Sequence, residues 1–237
     1  MTDQELRSTL ISRIDHLETT LQAACARVGR TRAEVQLVAV SKTVSARVRR
    51  IMREMGITDF GESRPQVLWS KAEEIADVNW HLIGHLQRNK IERTAPLLHL
   101  MHTLDSTRLA TSLNEEQLRK SRPPLSVIIE VNLTRESNKG GFSPEEVPPL
   151  GEFLASLPGI RIAGFMTMAA YSDNPESSRS TFAELRQLRD AMQQSWGNRF
   201  DLSQLSMGMS NDYAVAVEEG ATLIRPGTTL FNGLESE

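Results

Sequence analysis

The sequence predicts a single (β/α)₈ barrel, an α/β fold, preceded by one extra N-terminal helix. Eight short apolar runs with β-strand composition alternate with segments whose apolar residues recur at helical spacing. The length of 237 residues is close to the roughly 250 that are typical of this barrel. No Gly-x-Gly-x-x-Gly turn follows the first run, which disfavours the alternative, a doubly wound open sheet. Because no linker or repeat interrupts the pattern, residues 1–237 are expected to form one domain.

The first segment, residues 1–29, is predicted to be a long amphipathic helix that packs on the barrel. Thr2 and Glu5 have the spacing of a capping box, and Gly29 supplies a stop at the other end. The apolar residues between them lie on one face. They are Leu6, Leu10, Ile14, Leu17, Leu21, Cys25 and Val28. Cys25 is the single cysteine, so it is expected to pack in this face, and no intramolecular disulfide can form.

The first predicted strand, residues 35–43, carries a lysine at its end. Side chains alternate along a strand, so Lys42 is expected to share a face with Val38 and Val40 and to be partly desolvated. Desolvation lowers the pKa of an amine, and the neutral amine can attack a carbonyl and form a Schiff base. Taken alone, this strand also fits an ordinary lysine at a solvent-facing strand end.

The other strands and helices follow in alternation. The predicted strands are residues 57–61, 80–83, 101–104, 125–131, 160–167, 204–207 and 222–225. The predicted helices are residues 45–55, 63–76, a segment opened by 84–90, a segment from Ser106, a segment from Ser143, and residues 175–196 and 212–219. Pro148 and Pro149 are expected to distort the helix that begins near Ser143.

Composition disfavours two classes of partner. The net charge is -3 and the sequence pI is about 6.0, so a general nucleic-acid-binding surface is not expected. No uninterrupted apolar stretch approaches the roughly 20 residues that span a bilayer, so no membrane association is expected. With only one cysteine, the chain is predicted to be a soluble cytoplasmic protein.

The loops after the last two predicted strands have the features of a phosphate-binding site. Residues 206–212 are Ser-Met-Gly-Met-Ser-Asn-Asp, and residues 225–229 are Arg-Pro-Gly-Thr-Thr. Glycines allow backbone N–H groups to approach an anion, and phosphate groups in this fold bind near these two loops. Ser210 alone could be a helix N-cap and Gly227 alone a turn glycine, but their joint placement favours a phosphate site.

Two further side chains are candidates for the mouth of the barrel. Arg225 ends an apolar run, so its guanidinium group needs an acceptor, either a structural carboxylate or a heteroaromatic nitrogen. His81 is expected to face away from Trp80 and Leu82, toward the mouth, although a hydrogen-bonded core histidine is the more common role. A zinc site is not expected, because His81 and His85 do not share a helix and no clustered cysteines accompany them.

Seven motifs between Val35 and Gly233 are specific enough to compare with known families. They are Val-Ser-Lys-Thr at 40–43, Gly-Glu-Ser at 61–63, Trp-His-Leu-Ile-Gly-His-Leu-Gln-Arg-Asn-Lys at 80–90, Glu-Ser-Asn-Lys-Gly-Gly at 136–141, Gly-Phe-Met-Thr-Met at 164–168, Ser-Met-Gly-Met-Ser-Asn-Asp at 206–212 and Arg-Pro-Gly-Thr at 225–228. In this order they resemble the pyridoxal-phosphate homeostasis proteins, which are single-domain relatives of the N-terminal barrel of alanine racemase. The resemblance implies a fold-type III barrel that binds pyridoxal 5′-phosphate (PLP).

The resemblance also assigns expected roles to individual residues. They are Lys42 for covalent attachment of PLP, Ser210, Gly227 and Thr228 for its phosphate, Arg225 near the pyridine nitrogen, and Ser63 and His81 around the ring. An arginine near this nitrogen weakens the ring as an electron sink. The chain departs from the family at Ser63, where asparagine is usual, and in the terminal Phe231-Asn232-Gly233, where the family has Phe-Gly.

The resemblance implies a monomeric carrier that acts in PLP homeostasis and amino-acid balance, with apo-enzymes as acceptors of PLP and with no or weak catalysis. A racemase of this fold needs a second acid–base group, which alanine racemase takes from a tyrosine of a second domain and a partner subunit. Neither Tyr171 nor Tyr213 lies in a matching motif. Two alternatives stay open: a small PLP-dependent amino-acid racemase or lyase with Lys42 as its sole base, and a phosphate-sugar enzyme without a cofactor.

Overall fold

The computed structural model describes residues 1–136 and 140–234, so the centre of the motif at 136–141 lies outside the described residues. Its centre is one parallel sheet with the strand order β1-β9-β8-β7-β6-β5-β4-β3-β2. The strands are β1 (Gln36–Leu37), β2 (Ala39–Val40), β3 (Asp59–Glu62), β4 (Asn79–Leu82), β5 (Leu98–Leu104), β6 (Leu125–Glu130), β7 (Ile160–Met166), β8 (Gln204–Ser206) and β9 (Leu223–Ile224).

The two ends of this sheet meet in one stretch of chain. β1 pairs with β9, whereas β2, which follows after a single residue, pairs with β3. The N–H groups of Val38 and Val40 donate to the carbonyl groups of Ile224 and Pro226 at 2.9 and 3.0 Å, so the bonding to the last strand continues beside β2. β1 and β2 therefore act as one strand, and the sheet closes as the predicted (β/α)₈ barrel.

Helices follow the strands in the order that the sequence predicts. They are α1 (Asp3–Arg27), α2 (Ala46–Glu54), α3 (Pro65–Glu74), α4 (Ile91–Thr94), α5 (Thr107–Arg119), α6 (Leu150–Ala155), α7 (Arg179–Trp196), α8 (Tyr213–Glu218) and α9 (Thr228–Phe231). None of the helices in the described ranges has both the length and the apolar character needed to cross a membrane.

The extra helix α1 packs against α2, α8 and α9, and so covers the junction between the first and last parts of the barrel. Its predicted capping box is present: the N–H of Glu5 donates to the Thr2 hydroxyl at 3.2 Å, and the Thr2 N–H donates to the Glu5 carboxylate at 2.7 Å. Arg13 donates to the carbonyl groups of Leu230 and Asn232 at 2.9 and 2.8 Å. The beginning and the end of the chain are therefore tied together.

Several predicted boundaries differ from the structure where local signals are weak. β3 begins two residues later than predicted, and β5 begins three residues earlier. The segment predicted to open a helix at 84–90 forms only a short 3₁₀ turn before α4. As the two prolines suggest, the helix predicted from Ser143 is delayed, and α6 begins at Leu150.

Two apolar regions stabilise the barrel. The larger lies between the sheet and the helices and includes the buried face of α1 with Cys25. The smaller lies inside the barrel and consists of Val38, Leu100, Ile128, Met166 and Leu223. Because residues on the two faces of a strand alternate, the inward-facing set also defines which neighbouring side chains face the interior.

Gly164 in β7 provides a test of the sheet geometry. It has φ +148°, and a Cβ atom there would lie 1.8 Å from the carbonyl oxygen of Gln204 in β8. Gly164→Ala should therefore destabilise the protein by about 3 kcal/mol or more, because the backbones of β7 and β8 would have to move apart. Gly29→Ala, at φ +69° with nothing within 4 Å, should cost only about 1 kcal/mol. Urea unfolding midpoints measure both losses; equal losses would contradict the close approach.

Candidate functional site

Most of the predicted site residues lie at one end of the barrel. The carboxyl ends of the parallel strands share this end, which we call the mouth. The predicted residues that follow strand ends are Lys42 after β2, Ser63 after β3, Ser210 after β8, and Arg225, Gly227 and Thr228 after β9. His81 differs from these residues, because it lies within β4.

Lys42 is exposed and lies in a turn, so the prediction that the strand extends to Thr43 and partly desolvates Lys42 is wrong. The N–H of Ser41 makes the last ladder bond, to the carbonyl of Gly61 at 3.1 Å. On the other side, the last bond to the β9 segment among the described residues is from the N–H of Val40 to the carbonyl of Pro226, at 3.0 Å. The chain therefore leaves the sheet, and the N–H of Val44 donates to the Ser41 carbonyl at 3.3 Å.

A buried ion pair supports the turn that carries Lys42. The Lys71 Nζ lies 2.8 Å from the carboxylate of Glu62 and donates to the Ser41 carbonyl, also at 2.8 Å. The other Glu62 oxygen accepts the N–H of Ser63 at 2.7 Å. Lys71 and Glu62 are buried, at 1% and 0% exposure. One ion pair therefore holds the backbone at the ends of the neighbouring strands β2 and β3, a role that the sequence did not indicate for either residue.

The two predicted phosphate loops are in direct contact. The Ser210 hydroxyl accepts the backbone N–H groups of Gly227 and Thr229 at 3.0 and 3.1 Å. The Thr229 hydroxyl donates to the Ser210 carbonyl at 3.2 Å, whereas Thr228 is exposed at the start of α9. The structure thus brings Ser210 and Gly227 together, and the threonine that joins them is Thr229.

Gly208 allows the loop after β8 to lie close to α8. It has φ +92°, and a Cβ atom there would lie 2.6 Å from the Cβ of Ala216 and 3.0 Å from the Cα of Tyr213. Its carbonyl accepts the N–H of Arg225 at 2.9 Å, which connects this loop to the end of β9. The position of the Ser210 loop therefore depends on a residue without a side chain.

Arg225 is buried at the base of the mouth. Its Nη1 donates to the Ser206 hydroxyl and its Nη2 donates to the Thr167 carbonyl at 3.0 Å. Burial lowers its pKa to about 10, against the opposing charges of Glu130 and Asp212. A hydroxyl and a carbonyl are thus its hydrogen-bond acceptors among the described residues, and the guanidinium group carries further N–H groups besides these two.

His81 faces the interior, as strand alternation predicts, but it lies beneath the mouth. It is fully buried, with its Nε2 3.0 Å from the Asp59 carboxylate and its Nδ1 2.9 Å from the Nε2 of His102. Burial lowers its pKa even though Asp59 favours the charged form. Both ring nitrogens therefore contact buried side chains, as in a core histidine, and its contact with a cofactor ring stays a prediction.

Glu130 is a mouth residue that the sequence analysis missed. It ends β6 two residues after the inward-facing Ile128, so its side chain also faces the interior. Burial and the nearby Asp105 raise its pKa to about 7, against the opposing effect of Arg225 and His85. A signal was available in the sequence, because Glu130 is a charged residue within the apolar run at 125–131.

The buried ion pair can be tested by removing one partner. Lys71→Met should cost about 3 to 5 kcal/mol of unfolding free energy, because Glu62 stays charged in the core without its cation. Adding Glu62→Gln should recover part of this loss, which a double-mutant cycle by urea unfolding measures. As the control, Glu73→Gln removes the exposed ion pair with Arg93 and should cost less than about 1 kcal/mol. Equal effects in the two places would contradict a buried pair.

The pH dependence of stability tests the environment of Glu130. Its pKa is about 7 in the folded protein and 4.5 as the ordinary value, so folding binds a proton between these pH values. The stabilisation that the protonated Glu130 provides is fully present below pH 4.5 and is lost as the pH rises through about 7. Glu130→Gln should match the parent at pH 4 and be more stable by up to about 3 kcal/mol above pH 7. Urea unfolding across this range measures the difference, and a constant difference would contradict a protonated Glu130.

Comparison with known proteins identifies the family. A model of the alanine racemase N-terminal domain matches residues 13–235. The pyridoxal phosphate homeostasis protein of Aquifex aeolicus is 39% identical over 92% of this chain and 96% of its own length. The protein of the same name from Pseudomonas aeruginosa is 37% identical over 94% of this chain and 95% of its own length.

Two solved structures with similar folds extend this comparison. PipY of Synechococcus elongatus, solved with PLP bound, is 32% identical, with a TM-score of 0.79 and coverage of 90% of this chain and 100% of that chain. Alanine racemase of Clostridium difficile shares the fold, with 15% identity, a TM-score of 0.75 and coverage of 97% of this chain and 58% of that chain. The chain therefore belongs to the pyridoxal phosphate homeostasis protein family, which has the fold of the alanine racemase N-terminal domain.

Proposed function

We propose that the protein binds PLP at the mouth of its barrel, covalently through Lys42, and acts as a carrier in PLP homeostasis. The observation that carries the proposal is the arrangement of Lys42, Arg225 and the joined Ser210 and Gly227 loops at one end of the barrel. The relative solved with PLP bound supports it, since it matches the chain over most of its length.

The residues at the mouth fit such a group. Two backbone N–H groups already converge on a single oxygen atom, the Ser210 hydroxyl, and a phosphate oxygen beside it accepts the same kind of donor. The exposed Lys42 amine is open to an aldehyde from solvent. Ser63 follows the strand next to the Lys42 turn, and Thr228 lies beside Thr229 at the start of α9. Together with His81 beneath the mouth, these residues remain the candidates for contacts with the ring and phosphate.

Each of these side chains has a separate task in the proposed function. Lys42 would hold the aldehyde carbon, and the Ser210 and Gly227 loops would hold the phosphate. Arg225 would donate a hydrogen bond to the ring nitrogen and leave it unprotonated, since arginine keeps its own proton. PLP supplies an electron sink to many enzymes, and this donor would make it a weak one.

Carriage is the function that this arrangement supports better than turnover. Lys42 is open to solvent, so the attached group stays within reach of an acceptor such as an apo-enzyme that requires PLP. A weak electron sink stabilises a carbanion poorly, which limits amino-acid chemistry. We further propose that the protein is a cytoplasmic monomer and that its carrier role affects amino-acid balance.

One observation favours a second candidate function, a small PLP-dependent amino-acid racemase or lyase. Glu130 is buried at the mouth and has a pKa of about 7, which suits a group that accepts and returns protons near neutral pH. In this function Lys42 and Glu130 would be the two acid–base groups. Amino-acid turnover that both Lys42→Ala and Glu130→Gln abolish would favour this candidate over the carrier.

The proposed attachment is tested with Lys42→Ala. The unsubstituted protein should be yellow with PLP, and borohydride reduction followed by peptide mass mapping should place the adduct on Lys42. Lys42→Ala should fold normally, because the exposed side chain packs against little, but should give no adduct. Lys120→Ala, which changes an exposed lysine at the end of α5, should behave like the parent. An adduct on another lysine, or a parent that stays unlabelled, would refute the proposal.

A further inference from the structure

A continuous chain of hydrogen bonds crosses the inside of the barrel and ends at Arg225. The Asp59 carboxylate lies 3.0 Å from the His81 Nε2, and the His81 Nδ1 lies 2.9 Å from the His102 Nε2. The His102 Nδ1 lies 2.7 Å from the Ser206 hydroxyl, which accepts a hydrogen bond from the Arg225 Nη1. All five residues are at most 9% exposed.

The chain of hydrogen bonds connects residues of four strands across the barrel interior. Asp59 is the first residue of β3, whereas Arg225 follows the end of β9 at the mouth. His102 lies in β5 and Ser206 in β8, and these two strands are not neighbours in the sheet. The contact between them must therefore pass through the barrel interior, beside the apolar cluster that contains Leu100 and Leu223.

The protons in this chain have one consistent arrangement. Hydrogen bonds from His81, Thr58 and Asn79 outweigh the effect of burial and lower the pKa of Asp59, so its carboxylate accepts from the His81 Nε2–H. Burial lowers the pKa of His81 and places that of His102 well below its ordinary value, so both rings are neutral. A neutral His81 accepts at Nδ1 from the His102 Nε2–H.

The same reasoning fixes the remaining links. A neutral His102 accepts at Nδ1, so the Ser206 hydroxyl donates to it and uses its own oxygen to accept from Arg225. Every donor therefore points from Arg225 toward Asp59, and the bond dipoles align between a cation and an anion. Such alignment strengthens each hydrogen bond in a medium of low dielectric constant.

The charges around this chain are defined by the elements packed against it. His99, exposed at the start of β5, has its ring centroid 5.5 Å from that of His81. Glu130 and Asp212 face Arg225 from β6 and from the loop before α8. At the other end, Asp59 also accepts a hydrogen bond from Gln36 at 2.8 Å.

We infer that Asp59, His81, His102 and Ser206 are positioning residues for Arg225, which hold its guanidinium plane fixed at the mouth through their chain of hydrogen bonds. The part of this inference that concerns bound PLP rests on the proposed function. An arginine fixed in this way presents its free donors in one direction, which a ligand acceptor can use without first ordering the side chain. His81 then affects a ligand through Arg225, whether or not it also contacts the ring.

The first test uses the protein without PLP. In ¹⁵N-labelled protein, slow rotation should give separate signals for the two Nη groups of Arg225, and His81 and His102 should each show one protonated and one unprotonated nitrogen at pH 7. Ser206→Ala and His102→Phe should average the Arg225 signals. Asp59→Asn, which changes the residue at the far end of the hydrogen-bond chain, should also accelerate the rotation. His99→Phe, which changes a histidine outside the chain, should leave the signals unchanged.

The remote variant separates positioning from packing. Circular dichroism first establishes that each variant is folded, and Asp59→Asn keeps the size of the side chain if His102→Phe does not fold. A merely structural role predicts lower stability with unchanged Arg225 signals in the folded variants. Unchanged signals in Asp59→Asn and Ser206→Ala, or averaged signals in the parent protein, would overturn the inference.

A second test adds PLP to the same proteins. Ser206→Ala should weaken PLP binding by about tenfold, as expected when a buried hydrogen-bonded link is lost, and should shift the visible absorption maximum of the bound form. His99→Phe should match the parent. If the parent protein retains no PLP, the proposed function fails, while the Arg225 signals of the protein without PLP still decide the inference. Equal PLP affinity and spectra in Ser206→Ala and the parent would overturn it.

Discussion

Charges enclosed in a closed barrel have no water to solvate them, and this constraint governs the site. An unpaired buried ion costs several kcal/mol, so each one must find a partner through the interior. Two such networks are the pair of Glu62 and Lys71, buried between β3 and α3, and the hydrogen-bond chain from Asp59 to Arg225, which crosses the barrel interior. Both networks end at the mouth. The residues that pair the interior charges are therefore the ones that hold the backbone of the Lys42 turn and the guanidinium group of Arg225.

The groups that these two networks support differ in their exposure to solvent. The Lys42 turn is exposed, although the ion pair beneath it is rigidly buried, whereas Arg225 is enclosed together with its supports. The mouth therefore combines an exposed amine with a buried donor, the two features on which the proposed carrier function rests. Glu130 adds a carboxyl group whose charge depends on pH near neutrality, so the potential at the mouth changes in the range where cells operate.

The order of the strands and helices and their approximate positions were predictable because alternation, caps and glycine stops are local signals. The placement of Ser210, Gly227 and Arg225 after the last strands followed from the same signals. Lys42 was misplaced because the ladder ends at Pro226, a partner nearly two hundred residues away in sequence. Asp59 and His102 were missed because their roles depend on contacts across the barrel. Glu62 and Lys71 were missed because the sequence does not show that β3 and the next helix bring these two side chains together. Spacing along a chain does not encode which interior side chains meet.

The way in which the barrel closes has a consequence for how the chain folds. The stretch that contains β1 and β2 lies near the start of the chain, yet among the described strands β1 pairs only with β9, close to the end of the chain. Until the last strand is synthesised, one edge of this stretch has unpaired backbone groups, which invites pairing with other chains. Helix α1 packs on α2 as well as on α8 and α9. It can therefore cover this stretch early in folding, through α2, and form its contacts with α8 and α9 later. We therefore expect barrel closure to be a late step with a high loop-closure cost, and α1 to matter more for folding yield than for the finished site.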